Sequence, residues 1–308
     1  MKRSDAAFQA LYPFESRTQT LEGRGGLRYH YLDEGPQLGG ATGVPVVMVH
    51  GNPTWSFYWR AMVLALRGER RCLVPDHIGC GFSDKPDDAP TATPRYKYTL
   101  AERVADLGAW LDAVNAPVVD VVAHDWGGMI ATAWMVKHPE RVRRIVLMNT
   151  GAFTNPKGRR IPPTLRLARD SALGALLVRG LNAFSVGATR LAVERALPAD
   201  VRAAYTLPYG SWADRIATLR FVQDIPLDAR DPAFAVVERT EAALGLLADK
   251  PILLPWGLRD FVFDAAFLDR FIQAWPHAEV ERYPDCGHYL MEDAGSRVVE
   301  RIARFLTA

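Results

Sequence analysis

Eight consecutive residues constrain this 308-residue chain more than any others: Val121-Val122-Ala123-His124-Asp125-Trp126-Gly127-Gly128. An apolar, β-branched run stops at Ala-His-Asp-Trp-Gly, and Met129-Ile130-Ala131-Thr132-Ala133-Trp134 then continues as a helix would. This is the pattern of a nucleophile elbow, a sharp strand-to-helix turn that lifts one side chain above a sheet, with small residues beside it because the backbone is crowded. The lifted residue here is Asp125 rather than serine. A carboxylate is already ionised at neutral pH, so it can attack a carbon bearing a leaving group and form an ester of its own.

The rest of the chain suits a fold built around such a turn. Short apolar runs at 27–32, 44–49, 71–75, 118–123, 144–148, 252–254 and 279–283 read as strands. Helical patterns separate them at 57–66, 100–114, 126–138, 267–275 and 296–306, with Thr99 and Ser296 as expected N-caps. Strands apolar on both faces predict a mostly parallel sheet flanked by helices, the α/β class. The alternation breaks after Asn149-Thr150-Gly151, and the composition turns helical, apolar and proline-punctuated. We expect a hydrolase core over 1–152 and 233–308, with a helical cap inserted over 153–232. A cap would exclude water and roof an apolar pocket.

With 49% hydrophobic residues the chain can bury a large core, while a formal net charge of +2, spread along the sequence, argues against nucleic-acid binding. No apolar run of signal or membrane-spanning length stands out, and Cys72, Cys80 and Cys286 have no metal-ligand spacing. The expectation is a cytoplasmic enzyme with no membrane span, no metal and no cofactor.

Four other segments fall where an elbow needs them. Asp285-Cys286-Gly287-His288 follows the last strand, so His288 could reach Asp125 and act as general base. Trp256-Gly257-Leu258-Arg259-Asp260 puts an acid beyond a strand end, suited to fixing the tautomer of His288. Asp264 competes for that role, but the helical pattern behind it marks it as an N-cap. His50-Gly51-Asn52-Pro53 follows the third strand, where Asn52 and Trp126 together supply N–H donors for a departing anion. Asp76-His77-Ile78-Gly79-Cys80-Gly81-Phe82-Ser83-Asp84 reads as scaffold, and Gly23-Arg24-Gly25-Gly26 as a surface turn lacking the residues of a phosphate loop.

On these segments the chain resembles the α/β-hydrolase superfamily, and within it the haloalkane dehalogenase group. The resemblance implies a triad of Asp125 (nucleophile), His288 (base) and Asp260 (acid), with Asn52 and Trp126 holding the leaving group. In one branch of the group the acid follows the sixth strand instead. Here that position reads Met148-Asn149-Thr150, without a carboxylate. Tyr12-Pro13-Phe14, Tyr209-Gly210-Ser211-Trp212-Ala213 and Phe221-Val222-Gln223-Asp224-Ile225-Pro226 further resemble the OleB family, the β-lactone decarboxylases of bacterial long-chain olefin biosynthesis.

That resemblance implies a cis-3-alkyl-4-alkyloxetan-2-one as a hydrophobic small-molecule substrate, and a cis-alkene and carbon dioxide as products. It also implies a complex with other olefin-biosynthesis enzymes such as the β-lactone synthetase. Attack by Asp125 at the alkyl or at the carbonyl carbon is open at this level. Haloalkane dehalogenase is the alternative with the same residues. An epoxide hydrolase, with Tyr205 and Tyr209 as proton donors, ranks third because Asn52 and Trp126 suit an anion better. A non-catalytic relative ranks last because all three triad members are present.

Overall fold

The computed structural model of the protein describes residues 1–36, 43–156 and 161–307. Eight strands form one sheet: β1 (Arg17–Thr20), β2 (Arg28–Glu34), β3 (Val46–Val49), β4 (Cys72–Pro75), β5 (Val119–His124), β6 (Val142–Met148), β7 (Ile252–Gly257) and β8 (Glu279–Tyr283). Their order is β1-β2-β4-β3-β5-β6-β7-β8. β2 pairs antiparallel with both β1 and β4, and every pair from β4–β3 to β7–β8 is parallel. The seven runs read from sequence all become strands, within a few residues at their ends. The strand not foreseen is β1, Arg17-Thr18-Gln19-Thr20, a polar edge strand with one partner and only partial burial. Such a strand has no apolar pattern to betray it.

Alternate residues of the central strands enter opposite apolar layers. Val47, Val49, Val121, Ala123, Ile145, Leu147 and Leu254 join one. Val46, Met48, Val122, Val146, Met148 and Leu253 join the other. The sheet is thus buried on both faces, which is why these runs read as continuous rather than alternating hydrophobicity.

Thr99 caps the helix Leu100–Ala113 by accepting from the Glu102 N–H, while the Glu102 carboxylate accepts from the Lys97 N–H. Asp264 caps Ala265–Ala274, accepting from the Ala266 N–H at 3.0 Å. Ser296, expected to be a cap, is instead the first residue within the helix Ser296–Thr307, because Gly295 takes the positive-φ turn before it. Between β6 and β7 the described residues hold helices and no strand, among them Pro163–Asp170, Ala172–Leu181, Ala183–Leu191, Ala199–Thr206 and Ile216–Gln223. Residues 157–160 of the expected cap lie outside the described residues.

The loop after β4 is held by Asp76, which is fully buried. Its Oδ2 accepts from His30 Nδ1 at 2.7 Å and from the Phe82 N–H at 2.9 Å, and its Oδ1 accepts from the Ser56 N–H at 2.7 Å. Burial opposes its charge, but His30 and these donors win and hold the carboxyl well below the usual range. Asp76→Ala would orphan all three donors. It is expected to cost about 3–5 kcal/mol of stability, read as a lower denaturant midpoint. An unchanged midpoint would contradict this scaffold role.

Candidate active site

Asp125 sits at the tip of β5 with φ 52° and ψ −133°, a conformation that costs a non-glycine residue energy. Its surroundings leave no alternative. A Cβ on Gly127 would lie 2.2 Å from the Val49 carbonyl oxygen, and one on Gly51 would lie 2.2 Å from Asp125 Oδ2. Asp125 N–H donates to the Asn149 carbonyl at 3.1 Å, and Thr150 Oγ1 donates to the Asp125 carbonyl at 2.5 Å. The turn is therefore clamped by the end of β6.

The Asp125 carboxylate accepts from the backbone N–H of Asn52 at 2.7 Å, through Oδ2, and from the backbone N–H of Trp126. These two donors, which would stabilise an oxyanion next to a serine, here hold the carboxylate itself. Oδ1 lies 3.8 Å from His288 Nε2. His288 Nδ1 is 2.7 Å from Asp260 Oδ2. Asp260 in turn accepts from Asn149 Nδ2 at 3.0 Å and from the Val262 N–H at 2.7 Å. All three residues are at least nine-tenths buried.

Burial pushes the Asp125 carboxyl above its usual range, against the pull of His288 and the two backbone donors. For His288 burial acts the other way, lowering the imidazole. Asp260 and, more weakly, Asp125 outweigh it and hold the imidazolium above its ordinary value. The histidine thus stays protonated into a higher pH range than a free one, and its charge favours the ionised nucleophile.

Asn52 and Trp126 also meet here. Both line a cavity of about 380 Å³ together with Asp125 and His288, and most of the remaining wall is apolar, including Leu177, Phe184 and Val222. The Trp126 ring packs on Phe221 at 5.4 Å. One N–H of the Asn52 amide is committed to the Thr218 carbonyl at 3.1 Å, so at most one is left for a ligand. The sequence did not foretell that tether. Tyr205 and Tyr209 do not line the cavity. The Tyr205 hydroxyl bonds the Glu292 carboxylate and that of Tyr209 the Thr54 carbonyl, so neither is placed to protonate an opening epoxide.

Three neighbours were missed from sequence. Asn149 holds Asp260 with its amide and ties itself to β7 through the Gly257 N–H and carbonyl, each at 2.9 Å. The missing carboxylate at that position was legible, but not the amide's use. His124 donates from Nε2 to the His288 carbonyl at 2.8 Å; burial keeps its pKa well below the usual value. Asp293 accepts from the Gly287 N–H at 2.8 Å and steadies the loop that carries His288. Chain proximity to Asp125 and His288 was the only available signal for the last two.

A sheet with an elbow aspartate, a histidine and a supporting acid beneath a helical layer defines a hydrolase-type fold, and residues 44–295 match the family model described as the alpha/beta hydrolase fold. A solved structure of the haloalkane dehalogenase DatA from Agrobacterium tumefaciens C58 superposes with a TM-score of 0.83 at 25% identity, over 97% of this chain and 98% of that one. The chain is 48% identical to a cis-3-alkyl-4-alkyloxetan-2-one decarboxylase of Shewanella oneidensis, covering 92% of this chain and 86% of the relative. It is 47% identical to one of Xanthomonas campestris pv. campestris, covering 96% and 98%. The chain belongs to the α/β-hydrolase fold family, in the group that joins these decarboxylases with the haloalkane dehalogenases.

Proposed function

We propose that this protein is a cis-3-alkyl-4-alkyloxetan-2-one decarboxylase, converting a β-lactone into a cis-alkene and carbon dioxide on Asp125. The observation that carries the reading is near-half identity to two decarboxylases over almost the whole chain, with haloalkane dehalogenases more distant. In this reading residues 153–232 form the cap that keeps the cavity dry. Asp125 is the nucleophile, Asp260 orients His288, and Asn52 and Trp126 hold the anion released on ring opening.

The chemistry balances without water. Asp125 Oδ1 attacks the ring carbon bearing the ring oxygen from behind, and the carbon–oxygen bond breaks to leave a carboxylate, held by the Asn52 amide and the Trp126 indole. Inversion puts the new ester bond opposite the carbon–carboxylate bond. That carbon–carbon bond then breaks as carbon dioxide leaves, and its electron pair becomes the alkene bond. The carbon–Asp125 bond breaks with its pair, regenerating the carboxylate. No rotation intervenes, so both alkyl groups end on the same side, which is the cis product. His288 as imidazolium keeps Asp125 ionised and stabilises it as a leaving group; the step asks no base to deprotonate water.

Product analysis tests the reading. Alkene from a cis-β-lactone, faster than halide from a panel of bromoalkanes, is the expected result; halide release alone would overturn it. The site also sets a pH profile. Because Asp125 must be ionised and its pKa is raised, kcat/KM should climb through an acid limb above the ordinary aspartate range of about 4. It should fall on the alkaline side, above about 6.5, as the imidazolium is lost. An acid limb at or below the ordinary range would contradict this assignment. A cytoplasmic location and a complex with the enzyme that forms the lactone complete the proposal. The location is supported by three free cysteines, which suit a reducing compartment; the complex is supported by the poor solubility of a long-chain lactone, and co-purification from cells tests it.

A further inference from the structure

The helices Ala172–Leu181 and Ala183–Leu191 meet at Asn182 at an angle of 81°. The first is apolar beyond the face it buries. Gly174, Leu177 and Val178 line the cavity. On its outer side Leu173 and Leu176 are 57% and 55% exposed, and Leu181 is 71% exposed. Trp212, 49% exposed, adjoins Leu176 across Gly180. Leu191 is exposed and lines the cavity as well, so the outer patch and the cavity wall meet there.

The charge on this pair has one sign. From Ser171 to Val193 the sequence carries no Asp or Glu, and its only ionic side chains are Arg179 and Arg190. The Arg179 guanidinium lies 4.6 Å over the Trp212 ring. Asp88 and Asp87 lie close enough to act on Arg179, but neither forms an ion pair with it: Asp88 pairs with Arg220, Asp87 accepts from the Ala89 N–H, and Asp214 accepts from Ser211. Among the described residues no single helix is long and apolar enough to cross a membrane, but this bent pair has the length and composition that hydrocarbon tolerates. A helix that exposes several leucines outside its buried face presents an apolar surface that a partner or lipid would cover. Leucines with an exposed tryptophan and only cationic charges suit a helix lying in the plane of an anionic bilayer, with arginines reaching up to the headgroups.

We propose that this helix pair docks in the interface of an anionic lipid bilayer, with Leu173, Leu176, Leu181 and Trp212 among the acyl chains and Arg179 and Arg190 at headgroup level. The docking stands apart from the reaction proposed above. Its use rests on that reading: alkyl chains pass between bilayer and cavity past Leu191, and a hydrocarbon product leaves without entering water.

The test is co-sedimentation of the full chain with vesicles of phosphatidylglycerol and phosphatidylethanolamine, compared with phosphatidylcholine alone. Binding to the anionic vesicles, weakened by salt, is expected. A Leu173→Glu/Leu176→Glu double variant should bind about a hundredfold more weakly, roughly tenfold for each leucine. Its melting curve and its turnover of a short, soluble substrate should be unchanged, since neither residue lines the cavity. Absence of binding to anionic vesicles overturns the proposal, as does undiminished binding of the double variant. Self-association that the double variant abolishes would overturn it too, assigning the face to a second copy. Failure of the decarboxylase reading shows separately, as absence of alkene from a protein that still sediments with vesicles.

Discussion

Asp125→Asn is expected to remove turnover of a cis-β-lactone, by about ten-thousand-fold or more in kcat, while leaving the fold intact. The amide is nearly isosteric with the carboxylate, and its oxygen can still accept from the Asn52 and Trp126 backbone N–H groups that fix the native side chain. What it lacks is an ionised oxygen able to bond to carbon.

The same variant carries a stability prediction of opposite sense. The native carboxyl has its pKa raised, chiefly by burial, so its ionised form costs the folded state stability at neutral pH. Below the unfolded pKa both states bind the proton and that cost is gone. Asp125→Asn should therefore melt at or above the wild-type temperature at neutral pH, and the difference should shrink as pH falls through the folded pKa of Asp125. Normal turnover by a folded Asp125→Asn protein would remove Asp125 from the mechanism.

His288→Phe should divide the two chemistries that share this site. Release of an alkyl ester formed from a bromoalkane needs water, and water needs a base. That reaction should stop after one turnover and fall by about a thousandfold or more, with the alkylated protein accumulating. Decarboxylation uses no water, and the variant loses only the cation that favours ionised Asp125. A smaller fall, of about ten- to a hundredfold in kcat, is expected there. Mass spectrometry and alkene yield on one preparation check both arms. Equal losses with both substrates, and an accumulating lactone adduct, would mean that a base is needed after ring opening as well.

Local pattern made the elbow legible, because its crowding demands small residues within one short segment. The sheet was legible for a related reason: strands buried on both faces are nearly all apolar. The role of Asn149 was not. It lies 111 positions from Asp260, and the value of an amide there depends on the two strand ends lying side by side. Polar β1 was hidden because its single pairing partner, not its composition, makes it a strand. The Asn52 tether to Thr218 was likewise invisible, spanning 166 positions between the β3 loop and a helix of the insertion. Chain order suggested that His288 and Asp260 meet, but their 2.7 Å contact depends on how the β7 and β8 loops fold over one another.

The central claim is that an oxygen of Asp125 becomes bonded to a substrate carbon during turnover. Rapid quenching of the enzyme with a cis-β-lactone inside the first turnover, followed by peptide mass spectrometry, examines that bond directly. The account predicts an adduct of the intact lactone's mass on the peptide bearing Asp125, lost again as alkene appears. Alkene formation with that peptide unmodified at every quench time, or with the adduct on another residue, would contradict it.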